Sequence, residues 1–148
     1  MVDTYRKLIN KQHKMKKTYQ DLFMCVAFIA GNVYNEETKG QKKLAIIRKK
    51  LQPFLDTYND EADAIKLDNA LVVTEGEKKG KVVVEADGNY AYSAEGIAKC
   101  NKALKELSKK EFDYTPIVVN NPDELDQYVF LKGFVTGVEF KEEEEIEL

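Results

Sequence analysis

The stretch TKGQKKLAIIRKKLQPFLDTYNDEADAIKLDNAL, residues 38–71, decides the architecture. Within it Leu44, Ile47, Leu51, Phe54, Tyr58, Ala62 and Ile65 follow one another at steps of three and four, the spacing that places side chains on one helix face. One long helix with an apolar stripe is expected here. Lys42, Lys43, Arg48, Lys49 and Lys50 occupy the other faces of its first half, and Asp56, Asp60, Glu61 and Asp63 those of its second. That order opposes the helix macrodipole, which favours acids at the start and bases at the end, so local electrostatics did not select it. Pro53 offers no N–H to the carbonyl of Lys49 and its ring crowds that turn, which predicts a kink or break between Gln52 and Phe54. The stripe reads as a core-packing face; the competing reading is a seam for another copy or a partner.

Upstream, Asn35-Glu36-Glu37-Thr38-Lys39-Gly40 is a polar break, with Thr38 and Gln41 spaced as the two halves of a capping box. Before it, Tyr19, Leu22, Phe23, Val26, Ile29, Ala30 and Val33 fit one broad face and predict a helix over residues 18–35, strand being the competing reading for residues 23–29. The short connection implies an antiparallel helical hairpin. Residues 1–17 form a basic arm, with Arg6, Lys7, Lys11, Lys14, Lys16 and Lys17 against the single acid Asp3.

Downstream the period changes from helix to strand. Residues 71–73 and 81–85 read as strands joined by a turn between Gly76 and Gly80, and Asp87-Gly88-Asn89 turns into Tyr90-Ala91-Tyr92, a third short strand. From Ser93 a second amphipathic pattern buries Ile97, Cys100, Ala103, Leu104 and Leu107. Pro116 demotes the extended segment from Phe112 to Val119 to an edge strand or covering loop. Asn121-Pro122-Asp123-Glu124 has the order of a helix start, cap then proline then acids, and predicts a last helix carrying Leu125, Tyr128, Val129, Leu131 and Phe134 inward. Val135 to Phe140 reads as a final strand. The expected fold class is α+β: an antiparallel helical hairpin, a small antiparallel sheet and two further helices. In domain terms this is a basic arm over 1–17, a single α+β domain over 18–140 and an acidic tail over 141–148.

At 148 residues and 43% hydrophobic, the chain has the size of one domain with a core of its own. Cys25 and Cys100 are the only cysteines and read as buried free thiols, against a secreted disulfide framework. The longest apolar run, residues 22–30, is about half of the roughly 20 residues a membrane span needs. No small-residue cleavage site follows it, and the reading is a cytoplasmic protein.

The net charge is only −3, yet it is unevenly spread. Residues 1–52 carry 12 Lys or Arg against 4 Asp or Glu, a balance of +8; residues 53–110 carry 9 against 11, a balance of −2; residues 111–148 carry 2 against 11, a balance of −9. Three readings compete. The two ends screen one another or keep the protein dissolved; the basic face of one copy meets the acidic tail of the next; or the basic arm lies on nucleic acid, with only two arginines and no recognition helix to support it. The interaction residues expected from the second reading are Lys14, Lys16, Lys17, Lys42, Lys43, Lys49 and Lys50 on the basic side and Glu142, Glu143, Glu144 and Glu145 on the acidic side.

Tests for catalytic and metal chemistry nominate no residue. His13 is the only histidine, no nucleophile elbow accompanies it, and it shares no paired spacing with Cys25 and Cys100. Asp60 and Asp63 share a helix face as solvent-facing acids commonly do, and Gly76 to Gly80 is too short for a phosphate loop. Catalytic, cofactor and metal residues are therefore all expected to be none.

The order of these features resembles that of a family of small, uncharacterised tailed-phage proteins. The shared features are a first helix, the break and basic start Gly40-Gln41-Lys42-Lys43-Leu44-Ala45-Ile46-Ile47, a polar hairpin, the Asp-Gly-Asn turn, a second amphipathic helix, and a Pro-Ile-Val segment before a capped C-terminal helix. The likeness spans about residues 16–134; Pro53, the basic arm and the acidic tail depart from it. It implies a non-enzymatic structural or assembly protein of a tailed bacteriophage, of ring or adaptor type. The expected partners are other copies of itself or other virion proteins, and no membrane. The place implied is the host cytoplasm during synthesis and then the virion. The alternatives are a phage-encoded inhibitor of a host defence or nucleic-acid enzyme, and an accessory that contacts nucleic acid.

Overall fold

The computed structural model describes residues 14–35 and 37–141. In chain order they form strand β1 (Met15–Thr18), helix α1 (Tyr19–Asn32), helix α2 (Lys39–Asn69), helix α3 (Ala94–Ser108), strands β2 (Glu111–Tyr114) and β3 (Ile117–Val118), a 3-10 turn (Val129–Leu131) and strand β4 (Val135–Thr136). The class is α+β, with an antiparallel pair β1–β2 and a parallel pair β3–β4. The span expected as a single domain holds two compact units. The first comprises Met1–Gln52 with Glu111–Leu148, and the second Pro53–Lys110.

The long helix is present and uninterrupted from Lys39 to Asn69, with Pro53 inside it. Pro53 does not break it, and the boundary between the units falls at this residue. Leu44, Ile47, Leu51 and Ala62 are buried, while Phe54, Tyr58 and Ile65 are half-buried, so the stripe faces inward as its spacing requires. At the helix start Thr38 Oγ1 accepts from the Gln41 N–H at 3.1 Å, but among the described residues the reciprocal half of the expected capping box is not made. Gln41 is instead buried, and its Oε1 finds no partner among the described residues. An orphaned buried carbonyl carries its full desolvation cost, about 1–3 kcal/mol. Gln41→Met, similar in length, is therefore expected to leave the melting temperature unchanged or raise it, read by circular dichroism. A complete box forms one helix earlier: the Asp21 N–H donates to Thr18 Oγ1 at 3.1 Å and the Thr18 N–H to Asp21 Oδ2 at 3.2 Å. It starts α1 where the sequence placed it.

In the first unit, β1 pairs antiparallel with β2, Met15 opposite Tyr114 and Thr18 opposite Glu111. Lys16 and Lys17, expected in the basic arm, lie in a strand of the fold, because β-pairing to 111–114 satisfies their backbone. Residues 1–13 of the arm, His13 included, lie outside the described residues. Tyr19 stacks on Phe112 with centroids 4.9 Å apart, Phe112 meets Tyr114 edge-on at 6.3 Å, and Tyr114 meets Phe134 at 5.4 Å. This aromatic file joins Leu22, Cys25, Ile29, Leu44, Leu51, Leu125 and Leu131 in the unit's core. Burial pushes the Cys25 thiol up to about 11, with the Lys17 charge opposing. Thiolate is the reactive form, so a disulfide-exchange reagent at neutral pH is expected to label Cys25 only when this unit opens, at a rate that rises with denaturant.

The expected last helix does not form. The N–H groups of Leu125, Tyr128 and Leu131 donate three residues back, to Pro122, Leu125 and Tyr128. Glu124 takes a φ of 69°, left-handed backbone that no helix interior holds. The cap-then-proline signal at Asn121 and Pro122 opens a run of turns, too short and too tightly tied to the core at Leu125 and Leu131 to propagate a helix. Beyond the pair β3–β4, residues 137–140 carry no strand, so the final strand is limited to Val135–Thr136.

In the second unit α3 begins on Ser93, whose Oγ accepts from the Gly96 N–H at 3.0 Å. Cys100 and Leu107 are buried, but Ile97, expected inward, is exposed. Gly96 is required here, since a Cβ on it would lie 2.7 Å from the Asn69 carbonyl oxygen. The three strands expected over residues 71–73, 81–85 and 90–92 do not form; the segment is held by isolated antiparallel bridges, Val72 with Val82 and Val84 with Tyr90, too short to propagate a ladder. Their inner bonds close a ring: Leu71 N–H donates to Ala91, Ala91 N–H to Val83 and Val83 N–H to Leu71, at 2.8–2.9 Å. The two expected turns are present, and Gly76, Gly80 and Gly88 take positive φ in them.

Candidate interaction face

The seven lysines of the expected basic face separate into three groups, and the division follows the backbone. Lys16 faces Asp113 across the β1–β2 ladder with Nζ 2.5 Å from Oδ1. The hydrogen bond between them, then their opposite charge, holds Asp113 below the usual carboxylate range and Lys16 above its ordinary value. Lys17 points to the other side of the strand and sets its Nζ 4.6 Å from the centroid of the Phe134 ring. Both residues act within the fold. Lys14 is exposed at the edge of the described residues.

The four lysines of α2 are placed differently. Lys42, Lys49 and Lys50 are exposed, and none forms an ion pair among the described residues. Lys43 is half-buried and its Nζ donates to the Asp123 carbonyl at 2.6 Å. Lys43 and Lys50 stand seven residues apart on one helix face, with Ile46 and Ile47 between them. These four residues form one wall of a groove of about 120 Å³, whose other wall is β3 and the segment after it, with Leu125 also contributing.

Two residues that the sequence reading did not single out dominate this groove. Ile46 is 57% exposed and Val118 is 67% exposed. Both left a signal: Ile46 lies off the Leu44–Ile47–Leu51 stripe and is bracketed by lysines, and Ile117-Val118-Val119 is a β-branched run of which an edge strand must turn one residue outward. The groove is thus apolar at its floor and cationic at its rim, the anatomy of a protein-binding surface. Elsewhere in this unit Met24 and Phe28 are also exposed on α1, Phe28 stacking on Phe130 at 5.5 Å.

Glu142, Glu143, Glu144 and Glu145 lie outside the described residues. The chain reaches them from Lys141, whose N–H donates to the Asp126 carbonyl at 3.0 Å and whose Nζ lies 3.8 Å from Asp126 Oδ2. Among the described residues no three His, Cys, Asp or Glu side chains come together as metal ligands would, and no helix is long and apolar enough to cross a membrane.

No protein-family model, curated protein or solved structure matches the chain.

Proposed function

We propose that this α+β protein is a non-enzymatic structural or assembly component of a tailed bacteriophage, acting through protein–protein contacts as a ring subunit or adaptor. The observation that carries the reading is the unneutralised lysine face of α2 beside exposed Ile46 and Val118. A helix that keeps Lys42, Lys49 and Lys50 out of any ion pair among the described residues while exposing branched apolar side chains next to them presents two complementary features to one partner. The excess of acid in residues 111–148 gives the same chain the opposite charge to offer. Phage context rests on the sequence resemblance; contact with other copies rests on this face.

Light scattering on the full chain at low and at high salt tests the reading. A mass above 16.9 kDa at low salt that falls toward it at high salt is expected, since exposed ionic contacts weaken as screening rises. A mass of 16.9 kDa at both salts, across the concentrations used, would remove the ring form.

A further inference from the structure

Resting on the assembly reading above, we propose that the groove between α2 and β3 receives residues 142–148 of a second copy, added as a strand along the outer edge of β3. The edge is open in a specific way. Ile117 N–H donates to Phe134 at 3.0 Å and Val119 N–H to Thr136 at 2.9 Å, so strand alternation turns the N–H and C=O of Val118 to the opposite side. β3 has β4 as its one neighbour among the described residues, and nothing there pairs with that side. An added extended peptide takes its affinity from such main-chain groups and its specificity from pockets for alternate side chains.

The occupant follows from the same alternation. Residues 142–148 read EEEEIEL. Added as a strand, this sequence places Glu142, Glu144, Ile146 and Leu148 on one face, which sets two apolar side chains against exposed Ile46 and two carboxylates toward the lysine rim. Lys43 and Lys50 are seven residues apart on α2, about 10.5 Å along the axis, so the cationic rim extends over several residues of such a strand.

A second copy, not the chain's own segment, is favoured by charge at the point of departure. Lys141 is held on Asp126, and Asp123, Glu124, Asp126 and Glu139 line one cleft with Gly137 and Val138. Glu142 to Glu145, which follow Lys141 directly in the sequence, carry the same charge as this surface, so charge does not favour their return to it. A contact of groove on one copy with tail on the next joins two different surfaces, so it propagates into a ring or filament.

The test is a fluorescein-labelled peptide of residues 141–148, titrated by anisotropy into the full chain and into a chain lacking 142–148, with the mass of each protein variant measured in parallel. Binding to both proteins is expected. Ile46→Asp and Lys50→Glu should each weaken it about tenfold or more. Val118→Pro should do the same with an unchanged melting temperature, because it removes an N–H that pairs with nothing among the described residues. A control peptide with serine in place of Ile146 and Leu148 should lose most of the binding. Equal binding of that control would overturn the groove in favour of charge alone. Binding only to the shortened chain would overturn the second copy in favour of the chain's own segment. Salt-sensitive oligomers unaffected by the three groove variants would overturn this site while leaving the assembly reading intact, whereas a strict monomer would remove this site and the ring form and leave the adaptor form.

Discussion

Tyr114→Ala is expected to destabilise the first unit by about 3–5 kcal/mol, the range for emptying a buried aromatic site. Tyr114 is 1% exposed and lies between Phe112 and Phe134 in the aromatic file, so its removal leaves a void bounded by rings that cannot collapse together. Total stabilities of small domains are only about 5–15 kcal/mol, so a large fall in the urea midpoint should follow. Tyr114→Phe separates packing from hydrogen bonding. The phenol donates to the Phe134 carbonyl at 2.6 Å, but that carbonyl also accepts the Ile117 N–H at 3.0 Å and keeps a partner in the variant. The loss should therefore stay near 1 kcal/mol.

The same phenol sets an alkaline limit. Burial raises its ionisation above the ordinary value of 10. Between the two values the unfolded chain has released the proton and the folded chain has not, so the unfolded state binds fewer protons and stability falls as pH rises. The contribution is fully present below pH 10 and is lost above it. Tyr114→Phe should flatten that part of the stability profile.

Gly137→Ala has the second large effect, and its cause is the backbone. Gly137 has a φ of 90°, and a Cβ there would collide with the Val119 carbonyl oxygen. Left-handed backbone costs a residue with a side chain about 1–3 kcal/mol, and the collision adds to it by pressing apart the pair that Val119 N–H makes with Thr136 at 2.9 Å. Gly88→Ala is the control: its φ is 88°, but a Cβ there meets open space. The excess of the Gly137 effect over the Gly88 effect, measured by denaturant titration, is the packing part. If the two variants lose equal stability, the close approach of Gly137 to β3 has no energetic weight.

The parts of the fold legible in the sequence are those set by local period and local caps. The α2 stripe, Ser93 opening α3 and the glycine turns at 76, 80 and 88 all depend on residues within four positions of each other. What escaped the sequence depends on pairing over long separations. Residues 15–17 read as part of a basic arm because the partner of their strand, Glu111–Tyr114, lies nearly a hundred residues on. Asn121-Pro122 looked like a helix start because Asn121 Oδ1 accepts the Asp123 N–H at 3.4 Å as a helix cap would, although the bonds that follow run three residues back. For the candidate site, the lysines were legible as charge, but their division was not. Whether a lysine is spent on Asp113, on a phenyl ring or on nothing is decided by the strand register and the position of Phe134. The apolar half of the groove was hidden for the opposite reason: Ile46 and Val118 have the composition of core, and only the backbone turns them outward.

The closed ring of backbone bonds among Leu71, Val83 and Ala91 also fixes how the second unit releases its amide protons. Each of the three donates to the next, so no one segment can peel away while leaving the other two donors satisfied. In hydrogen–deuterium exchange these amides should share one slow rate. The Lys79 N–H, which bonds only to Gly76 within the turn at 3.2 Å, should exchange far sooner.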